Sequence, residues 1–255
     1  MIRTSFNFHP KISSQKDALL WKAGIKTWDD FLNAKRVPGI ASYKKAYFDY
    51  ELLKARANLY SLNSVFFDEV LPRAEHWRLY EFFKDEACFL DIETTGLSNH
   101  SHLTLIGLYD GINTKTMING INLDINALKE ELRKYKMIVT FNGAAFDIPF
   151  IRKRFPGLVP AIPHLDLRHA CSRIGLKGGL KEIEKQLGIK RKNPLVEKLY
   201  GGDAVMLWKM FRATGDDYYL NLLVEYNEED IINLKTIADH VYKRLKEKCM
   251  ESINI

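Results

Sequence analysis

The chain has 255 residues, 46% hydrophobic and 27% charged, which excludes wholesale disorder and gives length enough for one large domain or two smaller ones. No apolar run approaches the roughly 18 residues of a membrane span, and the start "MIRTSFNFHPKISS" lacks the apolar stretch of a signal peptide, so no membrane partner is expected. Cys88, Cys171 and Cys249 lie far apart without ligand-like spacing, which fits a reduced cytoplasmic interior, and the net charge of +6 permits a nucleic-acid partner without requiring one.

Residues 14 to 84 predict helices: "DALLWKAG", "TWDDFLNAK" and "YKKAYFDYELLKARANLY" carry apolar residues at helical spacing, punctuated by Gly24, Pro38 and Gly39. After the second of these, and running into the third, "RVPGIASYKKA" resembles the hairpin of helix–hairpin–helix DNA-binding modules. Ala41 stands where that family usually has a second glycine, so a plain packing element is an equal reading. The texture changes near residue 86, and two parts are expected: a helical segment over 1–85 and an α/β domain over 86–255. "CFLDIE", "HLTLIGLYD" and "TKTMINGINL" predict three consecutive strands, followed by a helix over about 124–135 and a fourth strand "MIVTF". A helix opens after "NGAAFD", and further helices are expected over 179–188, 201–213 and 218–247. This order predicts a mixed sheet with helices packed on it.

Asp91 and Glu93 close the first of these strands. Alternation places them on one face, about 7 Å apart along the chain. Paired carboxylates at a strand end are either solvated or held together by a cation, because desolvating both without one costs several kcal/mol. In "MIVTFNGAAFDIPFIRKRF", Asp147 stands at the opening of a helix, where capping alone would also account for it. In "EYNEEDIINL", Tyr226 and Asp230 are four apart and share a helical face beside the apolar stripe of Ile231, Leu234 and Ile237. Taken together, Asp91, Glu93, Asp147 and Asp230 form a set of hard oxygen ligands suited to Mg²⁺ or Mn²⁺. Two such ions about 4 Å apart activate a water and stabilise the leaving oxygen of a phosphodiester.

These motifs carry a resemblance. "DIETTGL", "FNGAAFDIPF" and "YNEEDIINL" match the three acidic motifs of the four-carboxylate (DEDD) 3′–5′ exonucleases of ribonuclease H-like fold, across residues 86 to about 243. The second motif is also similar to that of the proofreading domain of B-family DNA polymerases, although no polymerase domain is expected after the last helix. "HLTLIGLYD", "HLDLRHA" and "GGLKEIEKQLGIKR" bring the chain nearest to the stand-alone YprB-like group. A ribonuclease H-like mixed sheet flanked by helices is therefore implied, with metal-dependent removal of nucleotides from 3′ ends of DNA or RNA. Position 225 is Glu and position 226 is Tyr, which implies the tyrosine (DEDDy) type, with Tyr226 orienting the attacking water.

The resemblance leaves two other activities open: a structure-specific endonuclease, or an inactive nucleic-acid-binding protein of the same fold. Thr94, Asn142, Phe146, Lys181 and Arg191 are candidate contacts to nucleic acid. Each also has a structural reading: Asn142 as a turn residue, Phe146 and Phe150 as core, and the basic stretch of Lys177, Lys181, Lys185, Lys190, Arg191 and Lys192 as solvated helix surface. His164 and Asp166 are read as a supporting shell or as ordinary strand-end polarity.

Overall fold

The computed structural model describes residues 1–8, 12, 14–98 and 100–251. The chain begins with helices α1 (Ser14–Lys22), α2 (Trp28–Asn33), α3 (Lys45–Tyr60) and α4 (Ser64–Val70), a 3-10 stretch over Arg73–Leu79, and the short α5 (Tyr80–Phe83). Helix α2 starts where its sequence dictates. The Thr27 side chain accepts from the Asp30 N–H while the Asp30 carboxylate accepts from the Thr27 N–H, closing a capping box. In the "RVPGIASYKKA" turn, Gly39 takes a left-handed φ of 73°. There the N–H groups of Ile40 and Lys44 donate to the carbonyls of Val37 and Ala41, so both are committed within the turn.

Strands β1 (Ala87–Thr94), β2 (Leu103–Tyr109) and β3 (Thr114–Ile118) follow. After them come α6 (Ile125–Leu132), β4 (Met137–Thr140), α7 (Asp147–Arg154) and β5 (His164–Asp166). Helices α8 (Leu167–Arg173), α9 (Leu180–Gln186), α10 (Pro194–Lys198), α11 (Gly201–Thr214) and α12 (Asp217–Glu251) complete the chain. The sheet is mixed, in the order β3-β2-β1-β4-β5. β1–β2 and β2–β3 are antiparallel, whereas β1–β4 and β4–β5 are parallel. The third strand is shorter than "TKTMINGINL" predicts. It ends at Ile118, whose N–H donates to the Asn122 side chain at 2.6 Å, and Gly120 at φ 79° turns the chain away.

Alternation along β1 divides the core. Ala87 and Phe89 face a layer containing Leu234, Ile237, Ala238, Val241 and Tyr242 of α12. Cys88, Leu90 and Ile92 face the opposite layer, with Leu128 and Leu132 of α6 and Ile148 and Ile151 of α7. The first layer does not stop at residue 86. It continues through Trp77, Tyr80 and Phe83 into Trp28, Phe31, Leu52 and Phe67 of the N-terminal helices, and the Tyr80 hydroxyl donates to Asp239 of α12 at 2.8 Å. No helix among the described residues is long and apolar enough to cross a membrane.

Candidate metal centre

The parity that buries Phe89 under α12 also carries Asp91 and Glu93 onto the α12 side, at the end of β1. Helix α12 answers with Tyr226, Asn227 and Asp230, exposed by only 8%, 0% and 6%. Carboxylate oxygens of Asp91, Glu93 and Asp230 all lie within 4.8 Å of one another.

Asp147 arrives by a different route. β4 pairs with β1 only from Ala87 to Phe89, so the later N–H groups on that edge of β1 lack a ladder partner. The N–H of Ile92, the residue between the two strand acids, donates instead to Asp147 Oδ1 at 3.2 Å. Asp147 is thus fixed beside β1 by the backbone itself, in the first turn of α7, where the macrodipole favours an anion.

Neighbouring side chains orient the acids. Asn227 Nδ2 donates to Asp91 Oδ2 at 2.8 Å. Gly107 of β2, directly opposite Asp91, makes room for that carboxamide: a Cβ there would lie 1.8 Å from Asn227 Oδ1. Arg191 donates from Nη2 to Asp230 Oδ1 at 2.5 Å and grips Glu184 from Nε and Nη2 at 2.9 and 2.8 Å. Glu184 accepts a further bond from Asn233 at 2.9 Å. This buried Glu184–Arg191–Asp230 chain fixes Asp230 while leaving its second oxygen open.

Burial, reinforced by the repulsion of Asp147, Glu93 and Asp230, pushes Asp91 well above the usual carboxylate range, and Glu93 behaves alike. Burial moves Asp147 to about 7 and Asp230 to about 6, with Arg191 pulling Asp230 the other way. Burial, together with the adjacent acids, raises the Tyr226 phenol above its usual range, so the hydroxyl keeps its proton. Glu93 accepts no hydrogen bond among the described residues, and Asp91 and Asp230 each keep one oxygen unheld. An all-oxygen, half-satisfied, mutually repelling set of this kind fits a hard divalent cation.

The remaining candidates are placed as follows. Thr94, buried at the end of β1, donates from Oγ1 to the Gly96 carbonyl at 2.7 Å. Asn142 is the turn, at φ 63°, with its N–H on Asp166 and its side-chain oxygen accepting from Arg168 at 2.9 Å. Phe146 packs on Phe150 with ring centroids 5.6 Å apart. Lys181 Nζ is held by the carbonyls of Val196, Glu197 and Leu199 and lies 5.3 Å from the Tyr226 ring centroid. Asp166 caps α8 and receives the Asn142 and Ala144 N–H groups, so it braces the loop that delivers Asp147. His164 meets Thr140 Oγ1 at 2.8 Å. Asn227, Gly107 and Glu184 had no functional reading in the sequence. The one signal available was the glycine inside a predicted strand, which marks a close approach.

A model of the RNase_H superfamily matches residues 88–242. A Bacillus subtilis (strain 168) protein described as "Uncharacterized protein YprB" is 30% identical over 185 residues, covering 64% of this chain and 43% of its own length, so the chain spans less than half of that relative. Among solved structures, the family B DNA polymerase of the hyperthermophilic archaeon Pyrobaculum calidifontis is similar with a TM-score of 0.46 and 15% identity. That match covers 64% of this chain and 24% of the polymerase.

Proposed function

We propose, for a chain that belongs to the RNase_H superfamily, a metal-dependent 3′–5′ exonuclease that hydrolyses phosphodiester bonds of nucleic acid with two Mg²⁺ or Mn²⁺ ions. The observation that carries this reading is the convergence of Asp91, Glu93 and Asp230 within 4.8 Å, with Asp230 buried and the other two half-buried, in a setting that penalises their charge. Asp91, Glu93, Asp147 and Asp230 would hold the ions, which when bound supply Lewis acidity to the attacking water and to the leaving oxygen.

The protein's own groups do the positioning. Asn227 sets the Asp91 carboxylate, Arg191 sets that of Asp230, and the Ile92 N–H sets Asp147. Tyr226, one turn before Asp230, stays protonated, so its hydroxyl orients the water by hydrogen bonding and does not act as a full base. The 3′-terminal nucleotide enters past Thr94, Asn142 and Phe146, on the two segments that carry acids. Lys181 and Arg191 act indirectly, through the carbonyls around α10 and through Asp230.

The test is incubation with Mn²⁺ and 5′-labelled single-stranded DNA, duplex DNA and RNA. Products should shorten progressively from the unlabelled end, and a 3′-terminal block should protect the strand. Cutting of a circular single strand as fast as the linear one would overturn the exonuclease reading in favour of an endonuclease.

A further inference from the structure

A cavity of about 820 Å³ lies where the N-terminal helical segment meets the β5 edge of the sheet. Its floor is apolar, with Trp77, Ile148, Ile162 and Leu165. Three guanidinium groups from three different elements reach its lining: Arg73 from the 3-10 stretch, Arg152 from α7 and Arg173 from α8. Arg173 is anchored to the Ala74 carbonyl and to Glu75 and lies 5.7 Å from the Trp77 ring centroid. Arg73 and Arg152 are exposed and have no hydrogen-bond partner among the described residues.

The opposing charge is small. Of the two acids in the lining, Asp166 is committed on both oxygens, to the N–H groups of Asn142, Ala144 and Arg168. That leaves the half-buried Asp68. His76 bridges the Leu71 carbonyl and the His164 N–H, which fixes it as a neutral tautomer. Burial holds His164 at about 4, so neither ring contributes charge near neutrality. The His76–His164 link also ties the two walls together, so the cavity is preformed. Its size suits a small ligand, since such pockets run to roughly 300–1,000 Å³. An apolar floor under unpaired arginines fits a flat ring bearing a phosphate, the chemistry of a nucleoside monophosphate. Ala144, in the loop that delivers Asp147, and Ile148, the residue after it, both form part of the lining.

We propose that this cavity binds one nucleotide of a nucleic-acid strand, its base on the apolar floor and its phosphate between Arg73 and Arg152, as a subsite separate from the acidic cluster. The choice of a strand as occupant rests on the nuclease reading. Fluorescence anisotropy in EDTA, with 5′-fluorescein-labelled 12-nucleotide single-stranded DNA and RNA, compares the wild type with an Arg73→Ala/Arg152→Ala variant. The variant should bind at least tenfold more weakly, and its log–log salt slope should shrink by about 0.7 for each lost phosphate contact. Its Mn²⁺ affinity by calorimetry should match wild type, which shows that the fold and the acidic cluster survive. Strand affinity equal to wild type would overturn the proposal. A second arm titrates free AMP: AMP binding that the variant loses, with strand affinity intact, would overturn the strand assignment and give the cavity to a free nucleotide. Failure of the wild type to cleave any nucleic acid with Mn²⁺ would count against the nuclease reading instead, and is measured separately from these binding curves.

Discussion

Tyr226 and Asn227 are consecutive on α12 and have different parts in the proposed mechanism. Tyr226→Phe removes a hydroxyl and no metal ligand, so Mn²⁺ affinity by calorimetry should be unchanged while turnover falls by roughly 10²–10⁴-fold, the range for positioned proton-transfer groups. Loss of metal binding in this variant would contradict the role given to Tyr226. Asn227 acts through Asp91, and it depends on Gly107. Gly107→Ala places a methyl 1.8 Å from Asn227 Oδ1, so about 1–3 kcal/mol of destabilisation is expected from overpacking. Asn227→Ala should weaken Mn²⁺ binding, and adding Gly107→Ala to it should cost little more, because the shortest contacts are gone and only the movable tip of Ile231, at 3.1 Å, remains. Additive costs in that double-mutant cycle would sever the two residues. The four acids were legible because each sits in a short motif with its own local logic, on a strand end, a helix start or a helix face. Asn227 was not legible, since its purpose lies in contacts with residues more than 100 positions away. Arg191 read as a candidate contact to nucleic acid or as one of a run of surface cations, and only the fold reveals the buried acids Glu184 and Asp230 on either side of it.

At the scale of elements, periodicity identified the long helices and the strands of the sheet's centre, because burial on one face imposes a repeat. It missed β5, which has three residues and no room for a pattern, and α10, whose five residues are announced only by Asn193 capping Leu195 and by Pro194 in the first turn. Helix α1 carries a local conflict that can be tested. Asp17 is buried in its first turn, accepts the Phe6 N–H at 3.0 Å, and is pushed by burial from 3.8 to about 6. A carboxylate raised in this way holds its proton more tightly in the folded state than in the unfolded chain. Stability is therefore lost as pH rises from about 4 to about 6, by up to roughly 3 kcal/mol. Asp17→Asn keeps an acceptor for Phe6 and removes the charge. Urea unfolding should show it more stable than wild type at pH 7.5 and indistinguishable near pH 4. Equal stability at both values would mean that Asp17 is not buried against its charge.

One continuous apolar layer runs from the N-terminal helices through the sheet to α12, so the element that carries Asp230 packs in the same core as the N-terminal segment. In the metal-free protein, Asp147 at about 7 and Asp230 at about 6 bind protons more tightly than the unfolded chain does. Their contribution to stability therefore falls as pH rises from about 4 to about 7. A divalent ion bound there would reverse that trend, because it would bind the ionised acids and compete with their protons, so its affinity would grow with pH. At a free ion concentration about 100 times the dissociation constant, mass action adds about 2.7 kcal/mol. For a chain of this length that raises the thermal midpoint by roughly 5–10 °C. Scanning calorimetry with Mn²⁺ against EDTA should show this gain at pH 7.5 and a smaller one at pH 5.5. Asp91→Asn should lose most of the gain at pH 7.5 and, in EDTA, unfold at or above the wild-type temperature, since one repelling charge has gone while Asn227 keeps an oxygen to donate to. A wild-type midpoint indifferent to Mn²⁺ at both pH values would remove the metal from the site, and with it the reason for crowding these carboxylates together.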